Sequence, residues 1–146
     1  MDPNVSTRRP APLADQDTAP FWEAARSRRL VAQFCESCAE LVFPPKPYCP
    51  ECLDALGWKE LSGRGKVYSF CISRMNFVKG YQAPYAVAWI SLDEDETCIM
   101  NSNILDCAIE DVRIGMPVEV VFEERPDGVV VPQFRPTHSS AKNPSP

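Results

Sequence analysis

Histidine is nearly missing from this sequence: among 146 residues there is one, His138, in a polar stretch near the end. That scarcity removes the usual general base for a serine or cysteine nucleophile, and it leaves no means of building a mixed Cys/His catalytic zinc site. No glycine-rich phosphate loop, GxSxG elbow or HExxH pair occurs either. "SGRG" (62–65) resembles a phosphate loop only superficially and reads as the turn that launches a strand. Long apolar runs are absent as well. The most apolar stretch, "AVAWI" (86–90), is far short of the roughly 20 residues that cross a bilayer. The opening "MDPNVSTRRPAPLADQDTAP" has nothing of signal-peptide type, so a cytoplasmic location is expected. Concentrated basic charge is also lacking. Residues 21–80 hold nine Lys/Arg against six Asp/Glu, and residues 81–136 hold three against eleven. The second part would repel phosphate, which argues against a nucleic-acid partner.

Cysteine and proline are what the chain has in quantity. Fifteen prolines are about twice the ordinary ~5%. Four of the seven cysteines fall in "FCESCAELVFPPKPYCPEC", as two CxxC pairs separated by ten residues. Two such loops can each present two thiolates to one ion and complete a tetrahedral S₄ shell, and the prolines between them favour an extended connection. A redox CxxC usually comes singly in a βαβ setting, and a cytosolic chain has little use for disulfides. Zinc on Cys35, Cys38, Cys49 and Cys52 is therefore the leading reading, with redox chemistry or unrelated thiols as the alternatives. Four sulfurs leave no open position for water or substrate, so such a zinc would be structural. Cys71, Cys98 and Cys107 read as small hydrophobes. "DEDE" (93–96) lacks the spaced oxygens of a calcium loop and reads as a solvated turn.

The expected organisation is mainly β: a flexible arm (1–16), an N-terminal helix (17–30), a zinc ribbon (31–56), a five-stranded barrel (57–136) and a disordered tail (137–146). Asp17 or Thr18 can cap the helix and Pro20 fits its first turn. Phe21, Trp22, Ala25 and Leu30 form its apolar content, which docks either on the protein's own body or on another protein. Alternation predicts strands at 66–77, 85–92, 97–104, 117–124 and 129–134, with Tyr68, Phe70 and Ile72 sharing a face of the first. "RPDGV" (125–129) is a hairpin turn, and "LDCAIEDVRIG" offers one or two helical turns ended by Gly115. Five short strands with a helical insert suit a closed OB-type barrel better than an open sandwich. Aromatic residues such as Tyr68, Tyr81 and Trp89 could stack single-stranded nucleic acid, but core or partner contact explains them more economically.

"FWEAARSRRLVAQFCESC", "FPPKPYCPEC", "WKELSGRGKVYSF", "APYAVAWISLDE" and "IGMPVEVVFE" together resemble a family of small proteins with a rubredoxin-like zinc ribbon and an OB fold, known as domain of unknown function 35. The likeness runs from about Phe21 to Pro136. It implies a non-catalytic accessory subunit in a hetero-oligomer with a thiolase-superfamily enzyme, such as a thiolase, retro-aldolase or acyltransferase. A hotdog-fold hydratase or a second thiolase-superfamily subunit is a further implied partner; no nucleic acid and no membrane are implied. The subunit would help form the partner's acyl-CoA channel and stabilise it, with a CoA thioester as shared substrate. Acyl transfer or C–C bond chemistry would belong to the partner. The family's zinc ligands map onto Cys35, Cys38, Cys49 and Cys52, and Lys79 and Tyr81 are the candidate CoA contacts. Many members carry Gly after a CxxC pair, where this chain has Ala39 and Leu53. Two other readings compete: a stand-alone single-strand nucleic-acid-binding OB protein, and a small thiol-dependent acyl-CoA enzyme.

Overall fold

The computed structural model describes residues 9–77 and 80–137. Its first element, α1 (Ala19–Arg26), is shorter than the expected 17–30. Asp15, rather than Asp17 or Thr18, secures the start: its carboxylate accepts the backbone N–H groups of Asp17 and Thr18 at 3.0 and 2.8 Å. Pro20 lies in the first turn as expected. The helix stops because Arg28 takes a left-handed conformation (φ 59°), which turns the chain into the first strand. Phe21, Ala24 and Ala25 are buried, and the Phe21 ring lies 5.0 Å from that of Trp22 and 5.7 Å from that of Phe43. The apolar face of α1 is therefore spent on the protein's own body.

A small antiparallel sheet follows, with strands β1 (Val31–Cys35), β2 (Glu40–Val42) and β3 (Gly57–Glu60) in the order β2-β1-β3. The segment 57–60, expected to belong to the barrel, is instead an edge of this sheet, pairing Val31 with Glu60 and Phe34 with Gly57. The barrel proper contains β4 (Arg64–Ser73), β5 (Tyr85–Leu92), β6 (Asp95–Ile104), β7 (Pro117–Glu124) and β8 (Val130–Pro136), closed in the order β4-β5-β6-β8-β7. Closure depends on two pairings: the start of β4 along β7, and a parallel bridge between Ile104 and Phe134. The alternation on β5 is complete, with Ala86, Ala88, Ile90 and Leu92 inside. Gly65 lets β4 and β5 approach closely, since a Cβ there would lie 2.5 Å from the Ser91 carbonyl oxygen.

Two local expectations are corrected. A β-bulge between Val67 and Ser69 turns Tyr68 outward, so Phe70 and Ile72 pack against the core while Tyr68 is 63% exposed. The insert between β6 and β7 is one 3₁₀ turn (Ile109–Asp111) that ends before Gly115, which adopts φ 84° in the approach to β7. The hairpin at 125–129 forms as expected, with Arg125 N–H donating to the Val129 carbonyl at 2.9 Å and the N–H of Gly128 returning to that of Arg125.

One hydrophobic cluster serves the whole molecule. Phe21 of α1 and Val31 and Ala32 of β1 share it with Val67, Ile90, Val118 and Phe134 of the barrel. The arm also departs from expectation over its described part. Arg125, itself buried, donates to the carbonyls of Arg9 and Pro10, and the Arg9 guanidinium sits 2.7 Å from Glu123. Residues 1–8 and 138–146 lie outside the described residues. Among the described residues, no helix is long and apolar enough to cross a membrane.

Candidate metal centre and the Tyr81 notch

Cys35 closes β1, and the turn that follows brings Cys38 back before β2. The second loop mirrors it: Leu53 N–H donates to the Cys49 carbonyl at 3.0 Å, and Cys49 N–H to that of Asp54 at 2.9 Å. The Ser37 hydroxyl donates to the Asp54 carboxylate and ties the two loops together. Gln33, buried on β1, holds the proline-rich connection by both ends of its amide, accepting from Lys46 N–H at 2.7 Å and donating to the Lys46 carbonyl at 2.9 Å.

The four sulfurs converge, all within 4.8 Å of one another. Cys35 and Cys52 are 3.5 Å apart at sulfur, and Cys38 and Cys49 3.9 Å. Zn–S bonds of about 2.3 Å in a tetrahedron require sulfur separations of about 3.8 Å, and the two observed values bracket it. The donor set therefore fits zinc. The N–H groups of Cys52 and Glu51 draw the Cys49 thiol down to about 7, and its hydrogen bond with Cys52, followed by burial, pushes Cys38 up. A cation held here would meet four sulfurs and no vacant position, the arrangement of a structural site.

Ala39 and Leu53 have φ of 56° and 65°, a region that costs a non-glycine residue about 1–2 kcal/mol. These are the two positions after the CxxC pairs at which the chain departs from the glycine of the family it resembles. Leu53 is three-quarters exposed and gives up little burial. Leu53→Gly is expected to stabilise the zinc-loaded protein by about 0.5–1 kcal/mol, read as a higher melting temperature. A lower one would show that the left-handed turn is not strained.

The remaining thiols lack the surroundings of a nucleophile. Cys98 is buried and pushed up to about 11, by burial first and then by Asp95 and Glu94. Cys107 is shifted up by burial and then Asp111. Cys71 is exposed on the outside of β4, opposite Val87. No histidine is present among the described residues.

Tyr81 and Tyr85 place their rings 5.2 Å apart beside a shallow notch of about 340 Å³ shared with Val87 and Asn101–Asn103. The Arg9 guanidinium lies 5.2 Å over the Tyr81 ring. Lys79 lies outside the described residues. Sequence reasoning missed the polar network behind the notch. Gln133 accepts from the Ser102 hydroxyl and the Asn103 N–H, while Asn103 donates to the Ala86 carbonyl. Its members are far apart in sequence and carry no local signal.

A four-cysteine ribbon packed on a closed barrel defines the class of zinc-ribbon and OB-fold proteins. Residues 22–56 match the family described as "ChsH2, rubredoxin-like zinc ribbon domain", and residues 58–123 match "ChsH2, C-terminal OB-fold domain". The chain belongs to the DUF35 family: it is 37% identical over 128 residues to a "DUF35 domain-containing scaffold protein" of Methanocaldococcus jannaschii, covering 81% of this chain and 88% of that protein. It is also 36% identical over 130 residues to a "Probable enoyl-CoA hydratase alpha subunit" of Thermomonospora curvata, covering 88% of this chain. The match spans only 40% of that longer relative. Among solved structures, a chain of the "Ltp2-ChsH2(DUF35) aldolase" superposes with a TM-score of 0.78 at 35% identity, covering 86% of this chain and 98% of that one.

Proposed function

We propose that this protein is a non-catalytic accessory subunit of a thiolase-superfamily enzyme acting on acyl-CoA substrates. The observation that carries the reading is family membership together with four sulfurs that converge on one closed, structural type of metal site. A scaffold name on the archaeal relative and an aldolase complex around the structural relative support the same assignment. In this reading Cys35, Cys38, Cys49 and Cys52 hold a structural zinc, which supplies a cross-link between the two loops. The partner performs the acyl-transfer or C–C bond step. The barrel helps form its acyl-CoA channel, with Tyr81 and Lys79 contacting the CoA portion. The hydratase alpha-subunit name of the longer relative supports a hotdog-type hydratase as a second partner.

The test is a tagged pull-down from the native host, with mass spectrometry of the partners and metal analysis of the same sample. A thiolase-like protein in near-equal amount, with one zinc per small chain and no turnover by the isolated subunit, is the expected result. Recovery of the chain alone, or acyl-CoA turnover by the purified chain, would overturn the accessory role.

A further inference from the structure

The outer face of β4, β5 and β6 carries no charged side chain in its central rows. Cross-strand partners share a face, and the register aligns Cys71 with Val87 and Asn103, and Ser69 with Trp89 and Asn101. In these two central rows no outward-pointing position holds Asp, Glu, Lys or Arg, in a chain that is 24% charged; Lys66 stands opposite Ser91 in the row beyond them, and the Arg9 guanidinium lies over Tyr81 beside Tyr85 at the other end. Helix α1 packs against β1 and β8, leaving these rows uncovered by the helix. The bulge adds the Tyr68 ring to the same side, and Met75 (62% exposed) and Phe77 (75% exposed) continue from the end of β4.

Aromatic and methionine side chains with charge depleted are the composition of the centre of a protein–protein interface. OB barrels also bind oligonucleotides on strand faces of this kind, but they pair stacking aromatics with cations that follow the phosphates. Here the two central rows hold Trp89 and no cation, Lys66 and Arg9 stand only at the margins, and residues 81–136 hold eleven acidic against three basic residues. A charged partner surface would also be desolvated here with nothing to pair it. The occupant must itself be uncharged where it meets these two central rows.

We infer that this face, centred on Val87 and Trp89, is where the catalytic subunit seats an uncharged, apolar surface of its own. The inference rests on the accessory-subunit reading. Its test uses the full-length chain and the catalytic subunit recovered with it. Val87→Glu and Cys71→Glu each place a charge in the rows, and Ile114→Glu places one on an exposed side chain in the loop before β7. Cys71 is already exposed, so its variant carries the test if Val87→Glu does not fold. Zinc content and melting temperature report folding. Both face variants should bind the catalytic subunit at least about tenfold more weakly, with Ile114→Glu unchanged. Wild-type binding by a folded face variant, or equal loss in all three, overturns the inference while the accessory role stands. So does a wild-type dimer of this chain that Val87→Glu dissociates, because the occupant would then be a second copy. If the wild-type chain recovers no catalytic subunit, the accessory role and the inference fall together.

Discussion

Cys35→Ser should yield a protein without stoichiometric zinc whose ribbon no longer folds. Structural zinc contributes an apparent binding free energy of about 10–16 kcal/mol in finger peptides. A whole domain is stable by only about 5–15 kcal/mol, so nothing else in a three-stranded sheet can substitute. Cys35 is also fully buried at the end of β1, and a serine hydroxyl there would be a poor ligand for the zinc proposed to satisfy the sulfur. The damage will not stop at the ribbon, because Val31 and Ala32 of the same strand belong to the cluster that fills the barrel. Metal analysis and a thermal melt, with chelator-treated wild type alongside, provide the check. A soluble, zinc-free variant melting with the wild type would show that the metal does not hold the fold.

Phe134→Ala should cost about 3–5 kcal/mol, the range for emptying a fully buried aromatic site. Phe134 has no exposed surface. It stands where the barrel closes: it bridges to Ile104, pairs with Val120, and its carbonyl accepts Leu105 N–H at 2.8 Å. A cavity at that point has strands on several sides whose register prevents collapse. Urea denaturation should show a lower midpoint with an unchanged slope, and the folded fraction should keep its zinc. A loss under about 1 kcal/mol would mean that neighbouring side chains refill the space. The two variants separate the halves of the molecule, since one removes the metal and the other leaves its ligands intact.

What the sequence disclosed follows from how local each signal is. Strands 85–92 and 117–124 are legible to the residue because each is a run rich in β-branched or aromatic residues that ends at a turn signal, and in the first the burial alternates at every position. The bulge at Tyr68 is not, because Tyr68, Phe70 and Ile72 keep an even spacing and only the pairing with β5 shows the extra residue. The short, polar "GWKE" acquires its place from β1, more than twenty residues earlier, and nothing within it names that partner. Helix α1 was expected to run on because Arg28 carries none of glycine's warning of a left-handed turn. At the metal site, spacing alone brings the four cysteines to notice. The Gln33 clamp on Lys46 and the tie from Ser37 to Asp54 depend on folded geometry. The strain at Ala39 and Leu53 was visible only against the glycines of relatives, and it is the same two positions that turn left-handed.

Arg125 grips the arm by the main-chain oxygens of residues 9 and 10. Such a latch does not read spelling. Pro10 can drift to any residue that keeps the chain extended, and the attachment survives. Arg125 has no comparable freedom, since it fills one buried position and answers to Asp127 as well as to the two carbonyls. Variation should therefore accumulate at Pro10, while Arg9, whose own side chain meets Glu123 and Tyr81, and the arginine that holds the arm stay fixed.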